Sequence, residues 1–171
     1  MYRMLVISVF SFSSVVAFAQ TEAAPQPQKA HVHGEGTASL AFDGKKGKLD
    51  MSLPSESIMG FEHQAKSAKD RKAKEDALLK LEEKISDMVV LDPSLKCEIK
   101  KEIFEVIESK NHSDVDAEFN ITCEQPALGT TVKFNFAKVF PRMKKIKVDV
   151  IAGEVQKSVE VKKGGESLEL K

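Results

Sequence analysis

Two short phrases carry the residues best suited to chemistry. The first is His31-Val32-His33-Gly34-Glu35-Gly36, which holds two of the four histidines in the chain. The second is Gly60-Phe61-Glu62-His63, which ends in a third. In an extended strand His31 and His33 stand two residues apart, so both rings project from one face. Paired imidazoles on one face are half of a metal site. Adding His63 supplies a third nitrogen donor, and a carboxylate or a water completes a tetrahedral zinc shell. Glu35 and Glu62, each close to a histidine in sequence, are the candidate fourth ligands. Short His-x-His pairs also occur as ordinary surface histidines, so spacing alone leaves a competing reading: a protein-interaction domain with incidental histidines.

His112 reads differently. It sits in Ser109-Lys110-Asn111-His112-Ser113-Asp114, at the expected tip of a hairpin, where a solvent-exposed turn residue is the ordinary case. Other chemistry finds no support. The chain has no Gly-rich phosphate loop, no His-Glu-x-x-His, no Gly-x-Ser-x-Gly and no Cys-x-x-Cys. A metal hydrolase would need an open zinc position and a carboxylate base such as Glu35 or Glu62. No substrate-binding pattern accompanies them, so no enzyme is expected.

The elements that must position these residues begin after a targeting segment. Arg3 supplies a positive charge, Leu5 to Phe18 form an apolar run diluted by serines, and Ala17-Phe18-Ala19 is a signal-peptidase pattern. Cleavage is expected after Ala19, giving a soluble periplasmic protein, since the run is short for a membrane span. Residues 20–30 read as a disordered tether containing Pro25 and Pro27. Residues 31–171 are then one domain.

Thr37 to Leu53 alternate as a hairpin about Asp43-Gly44, a dipeptide that tolerates the positive φ of a tight turn. Pro54 stops the second strand, and a helical turn through Ile58 and Met59 leads to His63. Ser67 to Val89 form the one long helix, with apolar residues three or four apart and Ser67 as N-cap. Lys96 to Cys123 read as a second hairpin. Pairing Cys97 with Cys123 sets Ile99 by Ile121 and Ile103 by Ala117, with Lys110 at the turn and every apolar residue on one face. More strands follow at Val132–Phe134, Ile146–Val150, Val155–Val161 and Leu168–Leu170. The expected class is α+β: antiparallel hairpins forming a sheet, with one long helix packed against it.

Composition excludes several partners. Lys plus Arg and Asp plus Glu number 26 each, so no global field draws the chain to nucleic acid or anionic membranes. With no Trp and a single Tyr, inside the targeting segment, stacking platforms for sugars or bases are lacking. In an exported chain the two cysteines are read first as a disulfide, ahead of free thiols or thiolate ligands.

The order of these phrases resembles the ZrgA-like family of zinc-regulated periplasmic zinc-binding proteins. It runs from His31-Val32-His33-Gly34 through the Asp43-Gly44 hairpin, Gly60-Phe61-Glu62-His63, a helix and the cysteine-flanked hairpin to Val139-Phe140-Pro141. The resemblance covers nearly all of the mature chain. It implies zinc binding in the periplasm, help with zinc uptake, and delivery to an importer or its binding protein. By motif, the ligands it carries over are His31, His33 and His63. Family members often bear a histidine- and acid-rich insertion between the cysteine-bearing strands. Here that insertion is reduced to the Lys110–Asp114 tip with His112, which argues against high-capacity zinc buffering.

Overall fold

Alternation builds the central hairpin. In β1 (Glu35–Asp43) Ala38, Leu40 and Phe42 are buried, and in β2 (Lys46–Pro54) so are Leu49, Met51 and Leu53. The residues between them face the opposite way, as a period of two requires. Asp43 pairs with Lys46, so Gly44 and Lys45 form a two-residue loop. The protein is described here by a computed structural model covering residues 34–109, 112–162 and 164–171. The expected signal segment, the tether, and His31 and His33 lie outside the described residues.

Pro54, which has no N–H for the ladder, ends β2. It is followed by the short helix α1 (Ser55–Met59), which closes at Gly60. The remaining elements are α2 (Ala68–Glu83), α3 (Ile85–Met88), β3 (Val89–Leu91), β4 (Glu98–Glu108), β5 (Ser113–Thr122), β6 (Thr131–Phe134), α4 (Phe136–Val139), β7 (Lys145–Ala152), β8 (Val155–Val161) and β9 (Glu166–Glu169). A six-stranded sheet has the order β4-β5-β2-β1-β7-β8, and a three-stranded sheet the order β3-β6-β9. Inward residues of both sheets share one core with Ile58, Leu81, Ile85 and Met88 of the helices. Fully burying such a Leu or Phe stabilises the fold by about 1.5–3 kcal/mol. The chain is therefore α+β, with strand predominating.

Three expectations need correction. The hairpins do not make a single antiparallel sheet: there are two sheets, and β1 runs parallel to β7 from Glu35 opposite Lys145 to Phe42 opposite Ala152. A parallel pair needs a long connection, and here β2, β4 and β5 of the large sheet and β3 and β6 of the small one intervene in sequence. The second correction concerns β4. Ile99 does face Ile121, but the register shifts between Lys101 and Ile103, so Phe104 rather than Ile103 lies opposite Ala117. A bulge adds one residue to one strand and reverses the facing of everything beyond it. Phe104 and Val106 consequently pack on the core, while Ile103 and Ile107 are 45% and 48% exposed.

The third concerns the helix expected over residues 67–89. Ser67 caps it as anticipated, its hydroxyl oxygen accepting from the Asp70 N–H at 3.0 Å. The helix is not continuous, however. It stops at Glu83, Lys84 interrupts it, α3 adds one turn, and Val89 begins a strand paired with Phe134. Val89 and Val90 are β-branched and better suited to that pairing than to a last helical turn. Only Ala77 and Leu81 of α2 are buried. Lys80 donates to the Val139 carbonyl at 2.7 Å, and Glu82 pairs with Lys101 of β4.

Candidate metal centre

Sheet topology collects the chemistry-bearing phrases at one corner. β1 starts, β2 ends, β5 starts and β7 starts at the same end of the large sheet, since Glu35 lies beside Lys145 and Pro54 beside Asp114. The first hairpin returns the chain to its own beginning. A Cβ placed on Gly36 would stand 3.1 Å from Cδ2 of Leu53. The phrase that follows His33 is thus next to the connector that leads to His63.

The segment Phe140–Lys144 holds these two phrases together. The Gly34 carbonyl accepts from the N–H groups of Lys144 and Lys145, at 2.8 and 3.0 Å. A Cβ on Gly34 would approach the Arg142 carbonyl to 3.2 Å, and one on Gly60 would meet Nη1 of Arg142 at 2.6 Å. Both glycines also have left-handed backbones, with φ of 85° and 93°. Neither position accommodates another residue without strain. Glycine lets the first phrase close on the Arg142 backbone and the second on the Arg142 side chain.

His63 stands at the surface. Its ring stacks on Phe61 with centroids 4.8 Å apart, and Phe61 packs in turn on the core. Nδ1 lies 3.1 Å from the Gln64 carbonyl oxygen. A carbonyl only accepts, so Nδ1 carries the proton and Nε2 keeps its lone pair outward. Metal-ligating histidines are oriented in the same way, donating their other N–H to a carbonyl or carboxylate. The orientation of the His63 ring is one that a metal ligand can adopt. Beyond it, Asp70 lies close enough to sense His63 electrostatically. The Ser67 hydroxyl, donating to Oδ2 at 2.6 Å, is the main cause holding the Asp70 carboxyl below its ordinary range, and His63 adds to it.

The two candidate carboxylates each have a nitrogen partner. Glu35 pairs with Lys145 at 2.8 Å, an interaction that raises the lysine pKa. Glu62 Oε1 meets Nδ1 of His112 at 3.1 Å. Each carboxylate has a second oxygen, so either could join a zinc shell while keeping its partner. Among the described residues no group of three or more His, Cys, Asp or Glu side chains converges to hold a metal. His31 and His33 are outside that set.

A model of the ZrgA family of zinc uptake proteins matches residues 30–170. The chain belongs to that family. A search among curated proteins finds no match. Membership gives this chain a zinc-related role.

Within this ZrgA-family chain, His112 is the residue that sequence reasoning misplaced. It is not an exposed tip residue, since its side chain is only 18% accessible. Nδ1 faces Glu62 and Nε2 lies 2.9 Å from Oδ1 of Asp114. Both ring nitrogens are thus within hydrogen-bond reach of carboxylates in this arrangement. Ser113, buried beside it, donates its hydroxyl to the Glu62 carbonyl at 3.0 Å. The hairpin tip is thereby fastened to the residue next to His63. The hint in the sequence was the alternation of Ser113, Val115 and Ala117, which places Ser113 on the core side at the very end of β5.

The cysteines are as expected. Cys97 and Cys123 form a disulfide, with an S–S distance of 2.03 Å, at the far end of the sheet.

Proposed function

We propose that the chain is a periplasmic zinc-binding protein that assists zinc uptake by delivering the ion to an importer, and that it catalyses no reaction. Signal cleavage after Ala19 would release residues 20–171, with 20–30 as a tether and 31–171 as one folded zinc-binding domain. Zinc, the cargo, is held by His31, His33 and His63, with Glu35, Glu62 or water in the fourth position. The observation that carries this reading is the His63 imidazole. Its Nδ1–H is committed to the Gln64 carbonyl, so Nε2 is available, and its connector is closed against the Gly34 strip. No helix among the described residues is long and apolar enough to cross a membrane.

Native mass spectrometry of tag-free mature protein from the periplasm tests the reading. One zinc per chain, lost on replacement of His33 or His63, is the expected result. Metal-free protein that takes up no zinc on titration would reject it, leaving the histidines incidental to a protein-interaction domain.

A further inference from the structure

A cavity of about 460 Å³ opens between α1, α2 and the loop after α4. Its walls are apolar: Ile58, Met59, Ala73, Ala77 and Phe140. Three charged groups border it, Asp76, Lys80 and Arg142. They are not equivalent. Asp76 already accepts from Lys72 at 3.0 Å on the same helix. Lys80 donates to the Val139 carbonyl and lies 4.9 Å from the Phe140 ring centroid. Arg142 makes no hydrogen bond or ion pair with any described residue, and its guanidinium lies against Gly60, where only a missing Cβ leaves room. The balance at the rim is thus cationic, with an unused planar fork of donors over an apolar pocket. A guanidinium in that state matches a carboxylate through paired N–H···O bonds. A pocket of this size with few convergent polar groups is typical of small-molecule sites.

We propose that this cavity binds a small carboxylate with an apolar body, its carboxylate on Arg142 and its body against Ile58, Met59 and Phe140. This site is separate from the zinc reading and does not need it. The probe is 3-phenylpropionate, titrated into the metal-free mature protein and followed by amide chemical shifts. Saturable shifts confined to α1, α2 and residues 140–142 are expected, with a Kd of about 1 mM or below. Arg142→Ala should weaken binding about tenfold, the usual worth of a charge-assisted hydrogen bond, and Arg142→Lys less. Ala73→Phe, at a half-buried helix position, should fill the pocket and abolish binding while the melting temperature holds. 3-Phenylpropanamide should bind about tenfold more weakly than the acid. The absence of saturable shifts, equal binding of acid and amide, or tighter binding of 2-phenylethylammonium would overturn the proposal. His63→Ala must leave the titration unchanged, so a failed zinc site and a failed carboxylate site give different results.

Discussion

At one end of the six-stranded sheet, β1 and β2 join through two residues and Cys97 is bonded to Cys123. Backbone bonds close the rest of that end: Cys123 N–H donates to the Lys45 carbonyl at 2.8 Å and Ala127 N–H to the Gly44 carbonyl at 3.2 Å. At the other end backbone bonds to the Gly34 carbonyl are joined by side-chain links. His112 ties to Glu62 and Asp114, Ser113 to the Glu62 carbonyl, and Glu35 to Lys145. Covalent and backbone links are indifferent to ions. Charged side-chain links can be exchanged for a metal, and histidines among them compete with protons. On the proposed function the sheet has a fixed end and an exchangeable end, and His63 and His112 are at the second.

The largest effect should come from breaking the exchangeable end. His63→Ala is expected to lower zinc affinity by about a hundredfold or more, since outer-sphere partners alone are worth about 10–100-fold. Calorimetry with zinc would measure it. The paired change Cys97→Ser with Cys123→Ser should leave that affinity nearly untouched. Similar losses from both variants would show that the ends are not independent.

Stability should respond in the opposite order. The disulfide closes a loop with a sequence separation of 26. The chain-entropy argument gives about 3–4 kcal/mol for such a loop. Urea unfolding of the metal-free serine pair should show that loss, while metal-free His63→Ala should sit within about 0.5 kcal/mol of the parent, as exposed positions do. A serine pair as stable as the parent would remove the fixed end from the picture.

What could be read in advance follows the same division. The register from Cys97 to Ile99 was legible because a buried face and a cross-strand bond both demand it. The bulge was not, because Ile103 continues the parity of Ile99 and conceals the switch to Phe104 and Val106. The parallel pairing of β1 with β7 left no local mark, since alternation looks the same in either direction. The break at Lys84 was hidden by Ile85 and Met88, which keep the helical spacing into α3. At the histidine corner, residue types were legible and partners were not. His112 finds Glu62 fifty positions away in the chain, and a polar hexapeptide gives no sign of that contact. His31 and His33 lie outside the described residues, so their expected pairing stands on sequence alone.

An intermediate effect should come from the tie between tip and connector. His112→Ala leaves two carboxylates, Glu62 and Asp114, 14% and 15% accessible without the imidazole between them. Hydrogen bonds to charged groups are worth about 1.5–3 kcal/mol, so chemical denaturation should show a loss of about that size. Zinc affinity should fall about tenfold, through misplacement of the His63 connector rather than loss of a ligand. An affinity loss equal to that of His63→Ala would instead make His112 a ligand, and would move the centre from the connector to the hairpin tip.

The smallest effect lies just beyond the exchangeable end, at the start of α2. The Asp70 carboxyl titrates below its ordinary value of 3.8, chiefly because the Ser67 hydroxyl donates to it, with His63 contributing a favourable field. A carboxyl whose pKa is lowered by folding stabilises the folded state when ionised. That contribution is fully present above the unfolded value and disappears as pH falls through the lowered folded one. Melting temperatures of the metal-free protein, followed from about pH 5 to about pH 2, should therefore decline less in Asp70→Asn than in the parent. At neutral pH the variant should melt slightly lower, because the exposed N-terminal turn of α2 loses a favourable negative charge. Zinc binding should weaken by no more than about threefold, since an exposed carboxylate acting only through the field near His63 is largely screened by salt. A parallel decline of both melting curves with acid would show that Asp70 is a passenger at the corner.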